Sequence, residues 1–178
     1  MKTGNRGFTL TELLVTVLLA VLVVSISFPT IQGLRRRSYS VSCSANLRQL
    51  GSGLNLYLGD HANKMPTMLA AVSEKSPDKP TADRILADYV DDPLIFRCPG
   101  DKQQLYEKTG TSYLWNHLLN GQLAGELKFL AMDGDHRIPV FADKEGFHYG
   151  VGDAVQVLYA DGSVEKDFKF WVDELKNR

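Results

Sequence analysis

The chain has 178 residues, of which 44% are hydrophobic and 23% are charged, as expected for one compact domain with an appendage. Its 20 lysine and arginine residues nearly balance 21 aspartate and glutamate residues, so the formal net charge is −1. An even balance gives no overall positive field for nucleic acid, and we predict no nucleic-acid partner.

Hydrophobic residues are concentrated near the N-terminus, in the stretch "GFTLTELLVTVLLAVLVVSISFP". From Phe8 to Phe28 there are 21 residues and a single charge, that of Glu12. As a helix, this stretch would extend about 31 Å, the thickness of a bilayer core. A carboxylate in hydrocarbon costs roughly 2.5 to 3.5 kcal/mol, so Glu12 requires a polar or cationic partner.

Two simple interpretations of this stretch compete. It could be a removed signal peptide, with Lys2 and Arg6 as its basic start and Ser25 and Ser27 placed for cleavage before Phe28. The apolar run is long for such a signal, and Glu12 interrupts it. It could also be a plain signal anchor. Neither interpretation explains the carboxylate.

The segment "RGFTLTELLVTV" resembles the N-terminus of type IV prepilins and type II secretion pseudopilins: a short basic leader that ends in glycine, then Phe-Thr-Leu-x-Glu and an apolar run. The resemblance implies that prepilin peptidase cuts between Gly7 and Phe8, and that the new amine of Phe8 is N-methylated. It also implies that this amine meets Glu12 of a neighbouring subunit in a filament. The leader is then residues 1–7, and the transmembrane and filament-core helix is residues 8–34.

The same resemblance implies a single-pass protein of the bacterial inner membrane, with a C-terminal head in the periplasm and a place in a filament after assembly. By the positive-inside rule, Arg35 to Arg37 would favour the opposite orientation, and Lys2 and Arg6 only balance them. The implied partners are prepilin peptidase, other pilin or pseudopilin subunits, the inner-membrane assembly machinery and the lipid bilayer. Pro29 predicts a helix kink near the membrane exit, because proline removes one helical hydrogen bond.

Residues 35–58 predict an amphipathic continuation of the helix. Apolar side chains recur there at spacings of three and four, at Cys43, Leu47, Leu50, Leu54 and Tyr57. The turn formers of "GDHANKMP" then end the helix. In a pilin-like fold this helix packs on an antiparallel sheet, so the expected fold class is α+β.

Residues 59–178 predict a periplasmic α+β head. A short amphipathic helix is expected over "TADRILADYVDD", and a C-terminal helix over "DFKFWVDELK". Strands are expected at "LIFRC", "SYLWN", "RIPVFAD" and "AVQVLYADGSVE", where Asp161-Gly162 indicates a two-residue hairpin.

Cys43 and Cys98 both lie on predicted inward faces. A head outside the cytoplasm permits oxidation, so a disulfide is one expected state and two buried thiols are the other. The blocks "FRCPGD", "SYLWN" and "VLYADGSV" also resemble a narrower group of bacterial prepilin-type proteins. That group often carries a histidine nine residues before Asp-Gly, whereas residues 149–160, twelve in all, separate His148 from Asp161 here, so no role is carried over to His148.

Catalytic and metal motifs are weak. An EF-hand frame from Asp133 fails, with Ile138 where glycine is needed and Lys144 where glutamate is needed. The four histidines lack zinc-site spacing, and no nucleophile elbow or phosphate loop is present. We therefore predict no catalytic residues, no metal site and no cofactor, with calcium in the head the one ion that the pseudopilin resemblance suggests.

The sequence thus predicts a pilin-like structural subunit, not an enzyme, that is processed by prepilin peptidase and assembled into a type IV pilus or type II secretion pseudopilus. The alternative is a membrane-anchored or exported periplasmic binding protein or hydrolase whose N-terminus only mimics the prepilin motif.

Overall fold

The computed structural model describes residues 9–129, 132–133, 137–148 and 155–166. The chain divides into two compact units, Met1–Arg35 and Arg36–Arg178. The predicted C-terminal helix over residues 167–176 lies outside the described residues.

Helix α1, Leu10–Asp60, is 51 residues long. It is continuous through Pro29, and the expected bend at this residue stays a prediction. The helix ends where the sequence predicted, because Ala62 and Asn63 adopt positive φ angles of 51° and 57°. The N–H of Asn63 donates to the Leu58 carbonyl at 2.9 Å, a bond typical of a helix C-terminus that closes on a left-handed residue.

In the first unit, apolar side chains cover every side of α1. Each of the large apolar residues between Leu10 and Leu34 is at least 50% exposed. By length and composition, this is the helix among the described residues that could cross a membrane. A helix that is apolar all round requires a nonaqueous environment, either lipid or other protein.

In the second unit, α1 buries one stripe, as predicted. Cys43, Leu47 and Leu50 are fully buried, Leu54 is 4% exposed, and Tyr57 packs at the margin of the same core. On this face a β-carbon at Gly51 would lie 3.2 Å from the Leu158 side chain, so helix and sheet approach closely here.

The sheet opposite the helix has four antiparallel strands in the order β1-β4-β5-β6. Its strands are β1 (Tyr113–Trp115), β4 (Pro139–Asp143), β5 (Val157–Tyr159) and β6 (Val164–Glu165). Two further strands, β2 (Lys128–Phe129) and β3 (Met132–Asp133), pair separately with each other. The α+β fold, with a long N-terminal helix and a small antiparallel sheet, is therefore confirmed.

The β5–β6 hairpin was predicted, but its loop is longer than the expected two residues. The Tyr159 N–H donates to the Ser163 carbonyl at 2.9 Å, and three residues lie between them. Gly162 adopts a φ of 81°. A type I turn followed by a left-handed glycine is the usual three-residue hairpin, and it accommodates this Asp-Gly pair as well.

The strand predicted over "LIFRC" is wrong. Pro93–Phe96 forms a 3₁₀ turn, in which the Asp92 side chain accepts a hydrogen bond from the Leu94 N–H at 2.8 Å. Leu94, expected inside, is 56% exposed, whereas Ile95 is buried. Aspartate followed by proline starts a turn, because the side chain caps the backbone and proline fixes φ. The alternation of side chains in "LIFRC" that predicted a strand was therefore coincidental.

The helix predicted over residues 81–92 is present only in part. Helix α2 spans Ala82–Ile85, and a 3₁₀ turn follows at Ala87–Tyr89. Thr81 occupies the N-cap position, but its hydroxyl donates to Asp83 Oδ1 and makes no cap bond. The structure adds helix α3 (Leu105–Thr109) and a 3₁₀ turn at His117–Leu119, which the sequence patterns did not indicate.

Gln156 joins α1 to the sheet through a buried polar network. Its side-chain amide donates to the Ser40 carbonyl at 2.9 Å and to the Ser40 hydroxyl at 2.8 Å, and its carbonyl accepts from the Ser44 hydroxyl at 2.8 Å. Its backbone N–H donates to Asp143 Oδ2 at 2.9 Å. Because Gln156 is fully buried, each of these bonds replaces one that water would provide.

We expect Gln156→Leu to lower the free energy of unfolding by about 1 to 3 kcal/mol, because the buried Ser40 hydroxyl loses this partner. Urea unfolding of the full chain in detergent, followed by tryptophan fluorescence, measures the change. The control is Gln103→Leu at an exposed site, which should change stability by no more than about 0.5 kcal/mol. Equal stability of the two variants would contradict a structural role for the network.

Candidate functional site

The structure joins Cys43 of α1 to Cys98 in a disulfide with a Cα–Cα distance of 5.2 Å. Both cysteines are fully buried. Beside this bond, the Asn46 side chain donates to the Arg97 carbonyl at 2.8 Å. The helix is thus attached to the 97–98 segment by one covalent and one polar contact. Of the two states that the sequence left open, the structure has the disulfide.

His148 and Asp143 lie against the disulfide and are buried with it. The His148 Nε2 atom is 3.4 Å from Cys98 Sγ and 3.6 Å from Asp143 Oδ2. We call Cys43, Cys98, Asp143 and His148 the Cys–His–Asp cluster. One potential ligand atom from each of the four residues lies within 4.8 Å of the others.

Local packing positions each member of the cluster. Asp143 is the last residue of β4 and accepts the Gln156 N–H described above. The turn after Cys98 packs on His148, since a β-carbon at Gly100 would lie 3.2 Å from the imidazole. Among the described residues, Asp143 Oδ1 and His148 Nδ1 are buried without a hydrogen-bond partner.

Burial controls the charge of this cluster. Desolvation raises the pKa of Asp143 to about 7, although the hydrogen bond from the Gln156 N–H opposes the rise. Desolvation also lowers the pKa of His148 to about 4, and the positive charge of Lys166 lowers it further. His148 is therefore neutral at neutral pH, so its contact with Asp143 is not an ion pair of two full charges.

At the N-terminus, Glu12 is exposed and caps its own helix. The Thr9 N–H and the Thr9 hydroxyl donate to Glu12 Oε2 at 3.1 and 3.0 Å, and the Glu12 N–H donates to Thr9 Oγ1 at 3.3 Å. This reciprocal arrangement is a capping box. The sequence interpretation missed it, although Thr9-Leu10-Thr11-Glu12 before an apolar run is its usual signal.

Gly7 and Phe8 lie outside the described residues, so the expected cleavage and N-methylation sites have no described geometry. Farther along, the hydroxyl groups within the apolar half of α1 donate to carbonyls of the preceding turn. Ser25 and Ser27 reach Val21 and Val23 at 2.7 and 2.8 Å. Such bonds satisfy hydroxyl groups where water is absent.

The comparison with family models finds the prokaryotic N-terminal methylation motif at residues 2–28. The chain carries a prepilin-type methylation motif. Its match covers Gly7, Phe8 and Glu12, and it is consistent with a type IV pilin-like or pseudopilin protein. No curated protein and no solved structure matches the chain.

The prepilin motif and the buried cluster lie in separate units of the chain. The motif accounts for the apolar half of α1 and for a carboxylate at Glu12. It does not extend to Cys43, Cys98 or His148. Asp143 was not singled out by any sequence pattern, because its significance depends on residues that are distant along the chain.

We expect iodoacetamide to add nothing to unreduced, denatured protein, and to modify two thiols after reduction, as measured by intact mass. Reduction should lower the free energy of unfolding by at most about 4 kcal/mol, because the bond closes a loop with a sequence separation of 55. A Cys43→Ser/Cys98→Ser double variant should not respond to reductant. Two alkylated thiols before reduction would show that the cysteines are free.

Proposed function

We propose that this protein is a pilin-like structural subunit, stored in the bacterial inner membrane and assembled into a type IV pilus or a type II secretion pseudopilus. The observation that carries the proposal is the prepilin-type motif at residues 2–28, placed at the start of an apolar helix whose side chains are exposed on all sides. Such a helix needs lipid before assembly and neighbouring subunits afterwards.

Processing is the first step of this function. Prepilin peptidase cuts between Gly7 and Phe8 at the cytoplasmic face, where a glycine lets the backbone approach the protease carboxylates without obstruction by a side chain. Phe8 is then N-methylated and keeps a positive charge. The apolar helix stays on the mature protein, and the head, residues 59–178, lies in the periplasm.

Assembly is the second step. In a filament the Phe8 amine of one subunit pairs with Glu12 of a neighbour, in surroundings without water. The capping box offers a different account, in which Glu12 only stabilises the start of its own helix. The magnitudes differ: a cap contributes about 1 kcal/mol, whereas breaking one half of a buried ion pair costs about 3 to 5 kcal/mol.

The head serves as the outer part of the filament and contributes no catalysis. The protein is a substrate of the peptidase and a partner of the inner-membrane assembly machinery. This role needs no cofactor, and it requires from the head a stable, covalently joined fold, which suits the buried disulfide.

Gly7→Leu should block cleavage, because leucine prevents the leader from entering the protease site. Uncut precursor should then accumulate in membranes, while wild-type protein begins at N-methyl-Phe8 by mass spectrometry. Gly4→Leu makes the same substitution three residues earlier in the leader and should be cut normally. Normal cutting of Gly7→Leu would exclude prepilin peptidase. A start at Phe28 would identify a removed signal peptide, and an intact Met1 a simple anchor.

Two variants separate pairing from capping at Glu12. Glu12→Gln removes the charge but keeps an oxygen that accepts the Thr9 N–H, whereas Thr9→Val keeps the charge but removes the cap hydroxyl. If pairing matters, Glu12→Gln should be cut normally and then be lost from sheared filaments, like Glu12→Val, while Thr9→Val still assembles. The opposite pattern, normal filaments with Glu12→Gln and none with Thr9→Val, would assign Glu12 to helix capping.

A further inference from the structure

We propose that the Cys–His–Asp cluster, when its disulfide is reduced, is a binding site for Zn²⁺ with Cys43 Sγ, Cys98 Sγ, His148 Nε2 and one carboxylate oxygen of Asp143 as the four ligands. Two thiolates, an imidazole and a carboxylate are ligand types that zinc accepts, and four ligands complete its structural coordination. The disulfide joins Cys43 of α1 to Cys98, and the metal would join the same two residues and add His148 and Asp143.

Two of the six distances between the four ligand atoms already match a tetrahedral site. Zinc–sulfur bonds of about 2.3 Å and zinc–nitrogen or zinc–oxygen bonds of about 2.0 to 2.2 Å place neighbouring ligand atoms about 3.3 to 3.8 Å apart. In the structure, His148 Nε2 is 3.4 Å from Cys98 Sγ and 3.6 Å from Asp143 Oδ2. Two edges of the tetrahedron are therefore present before any metal enters.

One necessary adjustment is the separation of the two sulfur atoms. A disulfide holds its sulfur atoms about 2.05 Å apart, whereas two thiolates on one zinc ion lie about 3.8 Å apart. After reduction, rotation of the cysteine side chains supplies this separation, with the Cα atoms starting 5.2 Å apart. The four candidate ligand atoms begin within 4.8 Å of one another, so no backbone element has to travel far.

Two features of the surroundings favour a metal over an empty dithiol. The Gly100 N–H donates to Cys98 Sγ at 3.4 Å, and a backbone donor of this kind stabilises a thiolate. Asp143 Oδ1 is buried without a hydrogen-bond partner among the described residues. A buried carboxylate with an unpartnered oxygen is costly, and a cation bound by either of its oxygen atoms would reduce the cost of burying its charge.

Conversion of the disulfide to the zinc-bound form takes two steps, reduction and then metal binding. A dithiol reductant gives two electrons and two protons to the Cys43–Cys98 bond, which becomes two thiols, while the reductant becomes a disulfide. Zn²⁺ then displaces both thiol protons and forms two zinc–sulfur bonds. Because each sulfur atom is used in either state, zinc and the disulfide exclude each other.

The test uses the full chain in detergent. The protein is reduced with dithiothreitol, desalted without oxygen, mixed with zinc chloride and desalted again, and its bound zinc is measured by elemental analysis. We expect one zinc per chain after reduction and none in the oxidised protein. His148→Ala and Asp143→Asn should each weaken zinc affinity by at least about 10- to 100-fold. A loss of that size is typical when a residue that only hydrogen-bonds a metal ligand is removed, so removal of a ligand should cost no less. His117→Ala, at an exposed histidine outside the cluster, should bind like wild type.

X-ray absorption of the zinc-loaded wild-type protein needs no variant and covers the case in which a substitution prevents folding. We expect two sulfur and two nitrogen or oxygen neighbours. The proposal is overturned if reduced wild type retains no zinc, if oxidised protein retains as much as reduced protein, or if zinc has no sulfur neighbours. None of these outcomes bears on cleavage at Gly7, so failure here leaves the proposed filament role untouched.

Discussion

The second half of α1 has one apolar stripe, and the head is organised around the need to remove that stripe from water. Cys43, Leu47 and Leu50 are completely buried, and the sheet supplies Phe141 and Leu158 to the same core. A helix of this kind gains most of its stability from tertiary packing and little from helix propensity alone. The sheet is equally dependent, because its short strands need an apolar surface to cover their inner face.

Once the helix lies on the sheet, polar side chains have to be buried with it. The Gln156 side chain bonds with Ser40 and Ser44 of the helix, and its backbone N–H donates to one oxygen, Oδ2, of Asp143 in the sheet. The disulfide lies next to this network and fixes the helix to the 97–98 segment. His148 and Asp143 lie against the disulfide, where burial favours the neutral forms of both. Packing of the α1 stripe on the sheet therefore also buries the disulfide, His148 and Asp143, and this burial shifts the pKa values of His148 and Asp143.

The first half of α1 obeys a different constraint, since its apolar residues surround the helix and the described part of the chain does not cover them. Such a surface agrees with the proposed filament role, in which the helix leaves lipid and then contacts neighbouring subunits. Glu12 is the one charge in this region, and the capping box shows that a single chain can hold it without a partner. A local cap and an intermolecular ion pair are compatible, because a carboxylate has two oxygen atoms and the cap uses Oε2.

The sequence alone determined the features that depend on neighbours along the chain. Periodicity distinguished the fully apolar half of α1 from its amphipathic half, and turn chemistry located the hairpin at Asp161-Gly162. The capping box of Thr9 and Glu12 was also present in the sequence, though it was not recognised. The strand predicted at Leu94 from alternating side chains was wrong, because capping by Asp92 and the fixed φ of Pro93 favoured a turn.

Tertiary structure alone decided the buried cluster. The disulfide has a sequence separation of 55, and the contact between Cys98 and His148 has one of 50. Motif spacing detects ligands that lie close together in the sequence. The four residues of the Cys–His–Asp cluster come from a helix, a loop, a strand and a turn, so their spacing does not match a metal-site motif. Only the chain path over the sheet brings them together, because the same burial of the α1 stripe fixes where each of those segments lies.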